Sequence, residues 1–429
     1  MRLFLPRSPH RSPVFTLVRV AVLALGACAL TVVQGQAAQP GRRIVAVGDV
    51  HGDYETFVRV LQQVGLLGED LAWSGGETTL VQTGDFTDKG DDVRAVMDLL
   101  MRLQGEAAAS GGEVVVLLGN HEILNFVGEL RQGEVTPEIL ATFAEPDQRH
   151  LQEEAFKEYA QVYLAETGPW RRATRPQKHQ VQKNWSKDQP LGRIEYLRAM
   201  GPEGVYGKWI RSLPRMKVID GILFMHAGVA PELVGWGLEA IDERIGAELA
   251  AYDRYRAYLR ARGRITSFAD IHEMIRAAAI ETEGLDWFQA PAERVTKPPA
   301  LPPADLDSVD DPRQRFEPLL RVTGWFLLAA RGPLWFRGLA QWPDAELEGR
   351  LPGLLEALGI GRFVVGHTPQ LEGIRARAEG AVYLIDTGML KSVHQGRGSA
   401  LVLTNKGATA VYADGTSEAL AMSDVALSR

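Results

Sequence analysis

Short runs of aliphatic and β-branched residues recur along the chain, and the clearest of them stop at polar clusters. Ile44-Val45-Ala46-Val47 runs into Gly48-Asp49, Thr79 to Thr83 into Gly84-Asp85, and Val114 to Leu118 into Gly119-Asn120. Ile222 to Met225 meets His226, and Phe363-Val364-Val365 meets Gly366-His367. Apolar runs of this length predict strands buried on both faces. Between the first two, Phe57, Val60, Leu61 and Val64 recur at helical spacing behind Asp53, a candidate N-cap. Val93, Val96, Met97 and Leu100 repeat the pattern after the second. Strand, polar loop, helix, strand predicts βαβ units with parallel strands and outer helices. The loops at the strand carboxyl ends then gather along one edge, where such sheets bind ligands. Further strands are expected at 382–385, 400–403 and 408–411.

Two stretches break this rhythm. Residues 136–208 are charged and helical in pattern, with Phe156, Tyr159 and Tyr163 on one face. Residues 238–312 begin as a helix and end in the proline-rich run Lys297 to Pro303. Both are expected to be helical insertions forming a cap over the loop edge; the alternative is a small separate domain. The domain would then span 42–412, followed by a C-terminal tail at 413–429.

The N-terminus is expected to lie outside the fold. Arg2, Arg7, Arg11 and Arg19 precede an apolar run, Val20 to Val33, followed by Gln34-Gly35-Gln36-Ala37-Ala38. This predicts a secretory signal peptide at 1–37, cleaved after about Ala37, and a secreted or periplasmic protein. The run is too short to span a bilayer comfortably. Leu25-Gly26-Ala27-Cys28 resembles a lipobox, so the alternative is a lipoprotein anchored through Cys28, and membrane association is expected only in that case. Cys28 is the only cysteine, so a cleaved chain has neither disulfides nor thiolate ligands, and a metal must sit on His, Asp, Glu or Asn. With a formal net charge of −7, no nucleic-acid partner is expected.

The chemistry gathers at the strand ends. Asp49 and His51, two apart on an extended segment, point the same way and can reach one ion, and Gly52 lets the backbone turn off sharply. Asp85, Asn120, His226 and His367 close later strands. A carboxylate can bridge two cations while amide oxygen and imidazole fill the remaining positions, a mixed set that hard and borderline divalent ions accept. Each element alone is weak, but five of them in order, each at a strand end, form a strong combined signal.

The ordered set GDVHGD, GDFTDKG, GNHE, HAG and GHTP resembles the calcineurin-like metallophosphoesterase superfamily. Within it, GNHE and the GDxxDxG box are similar to the phosphoprotein phosphatase branch, and Arg331 to Gly338 resembles a segment of the Shewanella-like protein phosphatases. The resemblance implies an α/β fold, a four-layer αββα sandwich, and two divalent or trivalent metal ions (Mn, Fe or Zn). It implies Asp49, His51 and Asp85 at the first metal, and Asp85, Asn120, His226 and His367 at the second, with Asp85 bridging. Many relatives place a second His two residues after His367. Pro369 stands there, as in the phosphoprotein phosphatase branch, so water would complete the first site and monoester hydrolysis is favoured over nuclease activity.

The same resemblance implies that a metal-bridging hydroxide attacks phosphorus in line, that His121 protonates the leaving oxygen and that Asp88 orients His121. Phosphate binding would fall to Asn120, Arg337 and Lys89. The family box usually carries Arg at position 89, and Lys lacks the planar fork. Glu122 is expected to be a hydrogen-bonding support, Asp386 to steady a ligand loop, and His394 to be structural or solvent-facing. His150, His179 and His272 receive no role. The function expected is a phosphatase of phosphate monoesters, on phosphoprotein or a small phosphorylated molecule. The alternatives are a dinucleotide polyphosphate or nucleotide pyrophosphatase, and a catalytically weak secreted protein that binds metal or phosphate.

Overall fold

The computed structural model describes residues 43–130, 134–165, 167–282 and 299–422. The expected signal peptide with Cys28, residues 283–298 of the second insertion and the last seven positions lie outside the described residues. Eleven strands are described: β1 (Ile44–Val47), β2 (Thr79–Gln82), β3 (Glu113–Val116), β4 (Met216–Ile219), β5 (Ile222–Met225), β6 (Arg362–Val365), β7 (Arg375–Arg377), β8 (Val382–Leu384), β9 (Ser399–Thr404), β10 (Gly407–Tyr412) and β11 (Ser417–Leu420). They form a six-stranded sheet, ordered β11-β10-β9-β1-β2-β3, and a five-stranded sheet, ordered β4-β5-β6-β8-β7. β1, β2 and β3 pair in parallel, as do β5, β6 and β8.

The continuous apolar runs have a direct packing reason. Side chains alternate between the faces of a strand, so a run without polar members must be covered on both. Ile44, Ala46, Val81, Val115 and Leu117 of the first sheet meet Ile222, Phe224, Val364 and Tyr383 of the second in a core between the sheets. Their neighbours Val45, Val47, Leu80, Leu223, Met225 and Phe363 face outward, into a second core built with helices. On the first sheet the helices are α1 (Tyr54–Gln63) and α2 (Val93–Ala109), the predicted βαβ crossovers. The Asp53 side chain caps α1 by accepting from Thr56 N at 3.1 Å. Leu238–Ala261 and Asp344–Leu358 supply helical side chains to the same outer core. The result is the four-layer αββα sandwich.

Three strands were not visible as apolar runs. β4, β7 and β11 lie at sheet edges, are short (MKVI, RAR and SEAL) and leave positions exposed, so they carry little burial signal. β11 shortens the expected tail, because Ser417–Leu420 pair antiparallel with β10 across a turn in which Asp414 Oδ1 accepts from Thr416 N. Residues 136–208 are helical, and Ile139, Leu140, Phe143, Tyr196 and Tyr206 join the outer core of the sandwich. Phe156 and Trp185 make a satellite aromatic cluster with Tyr159 packed on it. Among the described residues, no helix is long and apolar enough to cross a membrane.

The core between the sheets yields a stability prediction. Phe224 is fully buried there. Phe224→Ala should cost about 3–5 kcal/mol of unfolding free energy, and Phe224→Leu clearly less, read from denaturant midpoints. Equal, small losses for both would mean that the sheets do not pack through this side chain.

Candidate metal centre and active site

Each loop that follows a core strand contributes to one buried cluster, and hydrogen bonds fix how the loops meet. Val50 N and His51 N both donate to Asp85 O at 3.0 Å, joining the β1 and β2 loops. The β3 loop enters helix α3 (Asn120–Phe126) directly at Asn120, and Glu122 sits in its first turn. The Glu122 carboxylate accepts from the backbone N–H of Asp85, Phe86, Thr87 and Gly119 at 2.8–3.0 Å, and from Thr87 Oγ1 at 2.8 Å. Gly84, at φ +93°, lets the two loops touch, since a Cβ there would lie 2.4 Å from Gly119 N. The second sheet is tied in by His367 N, which donates to Asp49 Oδ1 at 3.0 Å, while Gly366 N donates to His226 O at 2.8 Å to join the β5 and β6 loops.

The geometry is locally strained. Among the described residues, ten non-glycine positions have positive φ, and five of these are His51, Asp85, Asp88, Lys89 and His367. Such backbone costs about 1–3 kcal/mol per residue and persists where surrounding contacts over-determine it.

Three sets of ligand-type atoms result among the described residues, and two of them share Asp85. His51, Asp85 and His121 form one, Asp85, His226 and His367 the next, and Asp88, His121 and Glu134 the third. His51 Nε2 lies 3.8 Å from Asp85 Oδ2 and 4.0 Å from Asp49 Oδ2. On the other side, His226 Nε2 lies 3.4 Å from Asp85 Oδ1, 2.8 Å from Asn120 Oδ1 and 3.1 Å from His367 Nδ1. The tautomers follow from the backbone. A carbonyl can only accept, so His51 Nδ1 donates to Thr87 O, His226 Nδ1 to Thr83 O and His367 Nε2 to Trp335 O, at 2.9, 2.9 and 3.1 Å. Each ring therefore turns its other nitrogen toward the cluster, the orientation a metal ligand needs once that nitrogen is unprotonated.

The electrostatics fit a cation. Asp49 is pushed well above the usual carboxylate range by burial and then by Asp386 and Asp85. Asp386 rises to about 6, first through burial and with Asp85 contributing. His51 is driven well below its ordinary value, chiefly by burial. Burial also opposes charge on His226, yet Asp85 outweighs it and lifts this ring to about 9. A proton on His226 thus does the work that a cation would do, and binding one would release that proton. Buried carboxylates, neutral imidazoles and an amide oxygen together form a donor set suited to a divalent metal.

Beside the cluster stands a pair with different chemistry. His121 Nδ1 is 2.8 Å from Asp88 Oδ2 and 3.4 Å from Glu134 Oε2, while its Nε2 faces Asp85 Oδ2 at 3.8 Å. Burial opposes a charged His121, but the Asp85 and Asp88 carboxylates prevail and hold it above its ordinary value. Asp88 is itself held by Asn125 Nδ2, which donates to Asp88 Oδ1 at 2.7 Å, and Tyr196 of the first insertion donates to Asn125 Oδ1.

The phosphate-binding candidates sit on opposite sides. Arg337 Nη1 donates to His367 O at 2.7 Å and Thr368 Oγ1 at 3.1 Å, so both bonds use one nitrogen of its fork. Lys89 Nζ lies 2.9 Å from His51 Nε2. Asp386 accepts from Gly388 N at 2.9 Å, and its carbonyl accepts from Gln370 N just past His367. His394, expected to be structural or solvent-facing, stands near the cluster. Its ring centroid is 6.3 Å from that of His51, so it faces the cluster rather than solvent alone. The sequence had no signal for it, nor for Asn125, Glu134 or Tyr196, because their contacts arise between distant segments.

A carboxylate shared by two neighbouring ligand sets, with an acid–base pair beside it, is what hydrolysis of a phosphoester asks of a protein. Comparison with known proteins gives the same class. Residues 42–371 match the family model described as calcineurin-like phosphoesterase, and the chain belongs to that family. It is a phosphoester hydrolase with a divalent-metal site. An uncharacterised protein of Schizosaccharomyces pombe is 27% identical over 353 residues, 81% of this chain and 73% of that one. Shewanella-like protein phosphatase 1 of Plasmodium berghei is 32% identical over 233 residues, 53% of this chain and about half (52%) of its own length. Among solved structures, the cold-active protein-tyrosine phosphatase of a psychrophilic Shewanella species aligns with a TM-score of 0.49 at 23% identity, over 88% of this chain and 80% of that one.

The loop junction at Glu122 gives the second prediction. Glu122→Ala would strand four backbone N–H groups. It should lower stability by on the order of 3 kcal/mol or more and weaken Mn binding, read by thermal melts and by metal content after dialysis. Wild-type melting together with full metal retention would show that the loops hold their places without it.

Proposed function

We propose that the protein hydrolyses phosphate monoesters, on phosphoprotein or a small phosphorylated molecule, using two metal ions. The observation that carries this reading is the single Asp85 carboxylate facing His51 on one side and His226 on the other. Asp49, His51 and Asp85 would hold the first ion, and Asp85, Asn120, His226 and His367 the second. Mn, Fe or Zn suits this N/O set. Bound there, the ions supply Lewis acidity, which activates water and neutralises phosphoryl charge.

The remaining steps belong to the chain's own groups. Asn120, Arg337 and Lys89 orient the phosphate, and a phosphoryl transfer depends mainly on such positioning and charge neutralisation. His121, oriented by Asp88 and held above its ordinary pKa by Asp85 and Asp88, gives its Nε2 proton to the leaving oxygen. The chain Tyr196–Asn125–Asp88–His121 supports a cap role for the first insertion, which would sense the substrate and hold the acid in place. The His121–Asp88 pair also favours a working enzyme over a binding protein, since metal binding alone needs no proton donor. Export to the periplasm or beyond rests on the N-terminal pattern, with a membrane anchor only if Cys28 is lipidated. A phosphorylated substrate is the partner this reading requires, with no nucleic acid.

With para-nitrophenyl phosphate and added Mn, His121→Ala should lower kcat by about 10²–10⁴-fold while metal content stays at the wild-type level. Asn120→Ala should lose both metal affinity and turnover. Wild-type rates in both variants would remove the proposed site. Chelation with EDTA should abolish turnover, and Mn should restore it; activity that persists in chelator would defeat the metal-dependent mechanism.

A further inference from the structure

Position 89 leaves a gap in the phosphate site. Three equatorial oxygens of a phosphoryl group call for several directed donors, and an ammonium offers one compact charge where a guanidinium offers a planar fork. A second donor on the same side of the cluster would compensate, and the structure has one.

His394 sits on the loop that leaves β8, at the end of the short helix Lys391–His394. Its ring is tilted 38° to the His51 ring at a centroid distance of 6.3 Å. Burial lowers its pKa, and the Lys89 and His121 charges lower it further. The ring is partly exposed, so a ligand entering from solvent can reach it. It falls outside both three-residue ligand sets that meet at Asp85.

The loop is built to hold this ring in place. Arg397 N donates to Thr387 O at 3.0 Å, Thr387 Oγ1 donates to Arg397 O at 2.5 Å, and Thr387 Oγ1 also meets Ser399 Oγ at 2.8 Å. These contacts close the loop at its base. Inside it, Gly388 at φ +61° packs against the His394 stem, where an added Cβ would come within 2.7 Å of the His394 Cβ. Gln395 follows in the left-handed region at φ 58°, turning the chain back behind the imidazole.

We propose that His394 is a substrate-contacting residue, donating a hydrogen bond to a phosphate oxygen beside Lys89, so that the two together do the work of an arginine fork. This inference rests on the phosphoesterase reading of the same cluster. The metal-loaded full chain tests it with two probes, para-nitrophenyl phosphate for turnover and inorganic phosphate for binding by calorimetry. In His394→Ala, KM and the phosphate Kd should both rise about tenfold, as expected for loss of one hydrogen bond to a charged group, with kcat within about threefold and metal content unchanged. His394→Gln keeps an N–H donor and should recover most of the loss.

Values of KM and phosphate Kd within about twofold of wild type in a folded His394→Ala would overturn the proposal. Loss of bound metal in that variant would also overturn it, by making His394 a ligand to the ion instead. The binding arm separates this inference from the one beneath it. A wild-type chain that turns over no ester, yet binds phosphate less well after His394→Ala, would sink the phosphatase reading and keep the contact.

Discussion

Four backbone N–H groups and a threonine hydroxyl converge on the buried Glu122 carboxylate, and this junction sets how far the Asp85 loop stands from Asn120. Glu122 is assigned no step in the chemistry. Burial and the Asp85 charge push its pKa upward, while the donors arranged around it favour the ionised form. Without a shared acceptor, four N–H groups in a dry interior would each lack a partner, a costly arrangement. The carboxylate resolves that cost, and in doing so it locks two loops into one frame. His121 N donating to Asp85 Oδ1 at 2.9 Å completes the frame from the other side.

The αββα layering matters because it brings two such edges together. Neither sheet alone would present the full donor set: Asp49, His51, Asp85 and Asn120 come from the first, and His226 and His367 from the second. Packing through Ile44, Ala46, Val81, Phe224 and Val364 holds the sheets in one relation, so the strand ends meet. The positive φ values at His51, Asp85 and His367 are then enforced by scaffold contacts rather than by local preference. A densely packed core can sustain that strain, whereas loops on a looser scaffold would relax.

Much of this was readable in the chain. The strands that carry the site are buried on both faces and therefore appear as unbroken apolar runs, each closed by its functional residue. Edge strands β4, β7 and β11 were hidden because a short, partly exposed edge has no such signature. Asp85 and His226 were recognisable as donors from residue type and position. The carbonyls of Thr83, Thr87 and Trp335, which orient the rings, were not, because every residue has a carbonyl and only the fold selects which one is used. The nearness of His394 to His51 was hidden for a related reason, since the two rings approach only once the β8 loop closes on itself.

The order and chemistry of the donors are written in local patterns, because burial periodicity and residue type act over a few neighbouring positions. Those patterns were sufficient for the βαβ units, the strand-end clusters and the chemical class. Which atoms face one another was decided by contacts such as His367 N to Asp49 Oδ1, made between residues 318 positions apart. Contacts over such separations carry no local code. They exist only when two sheets pack, two loops share one carboxylate and the backbone is held where it would not rest alone.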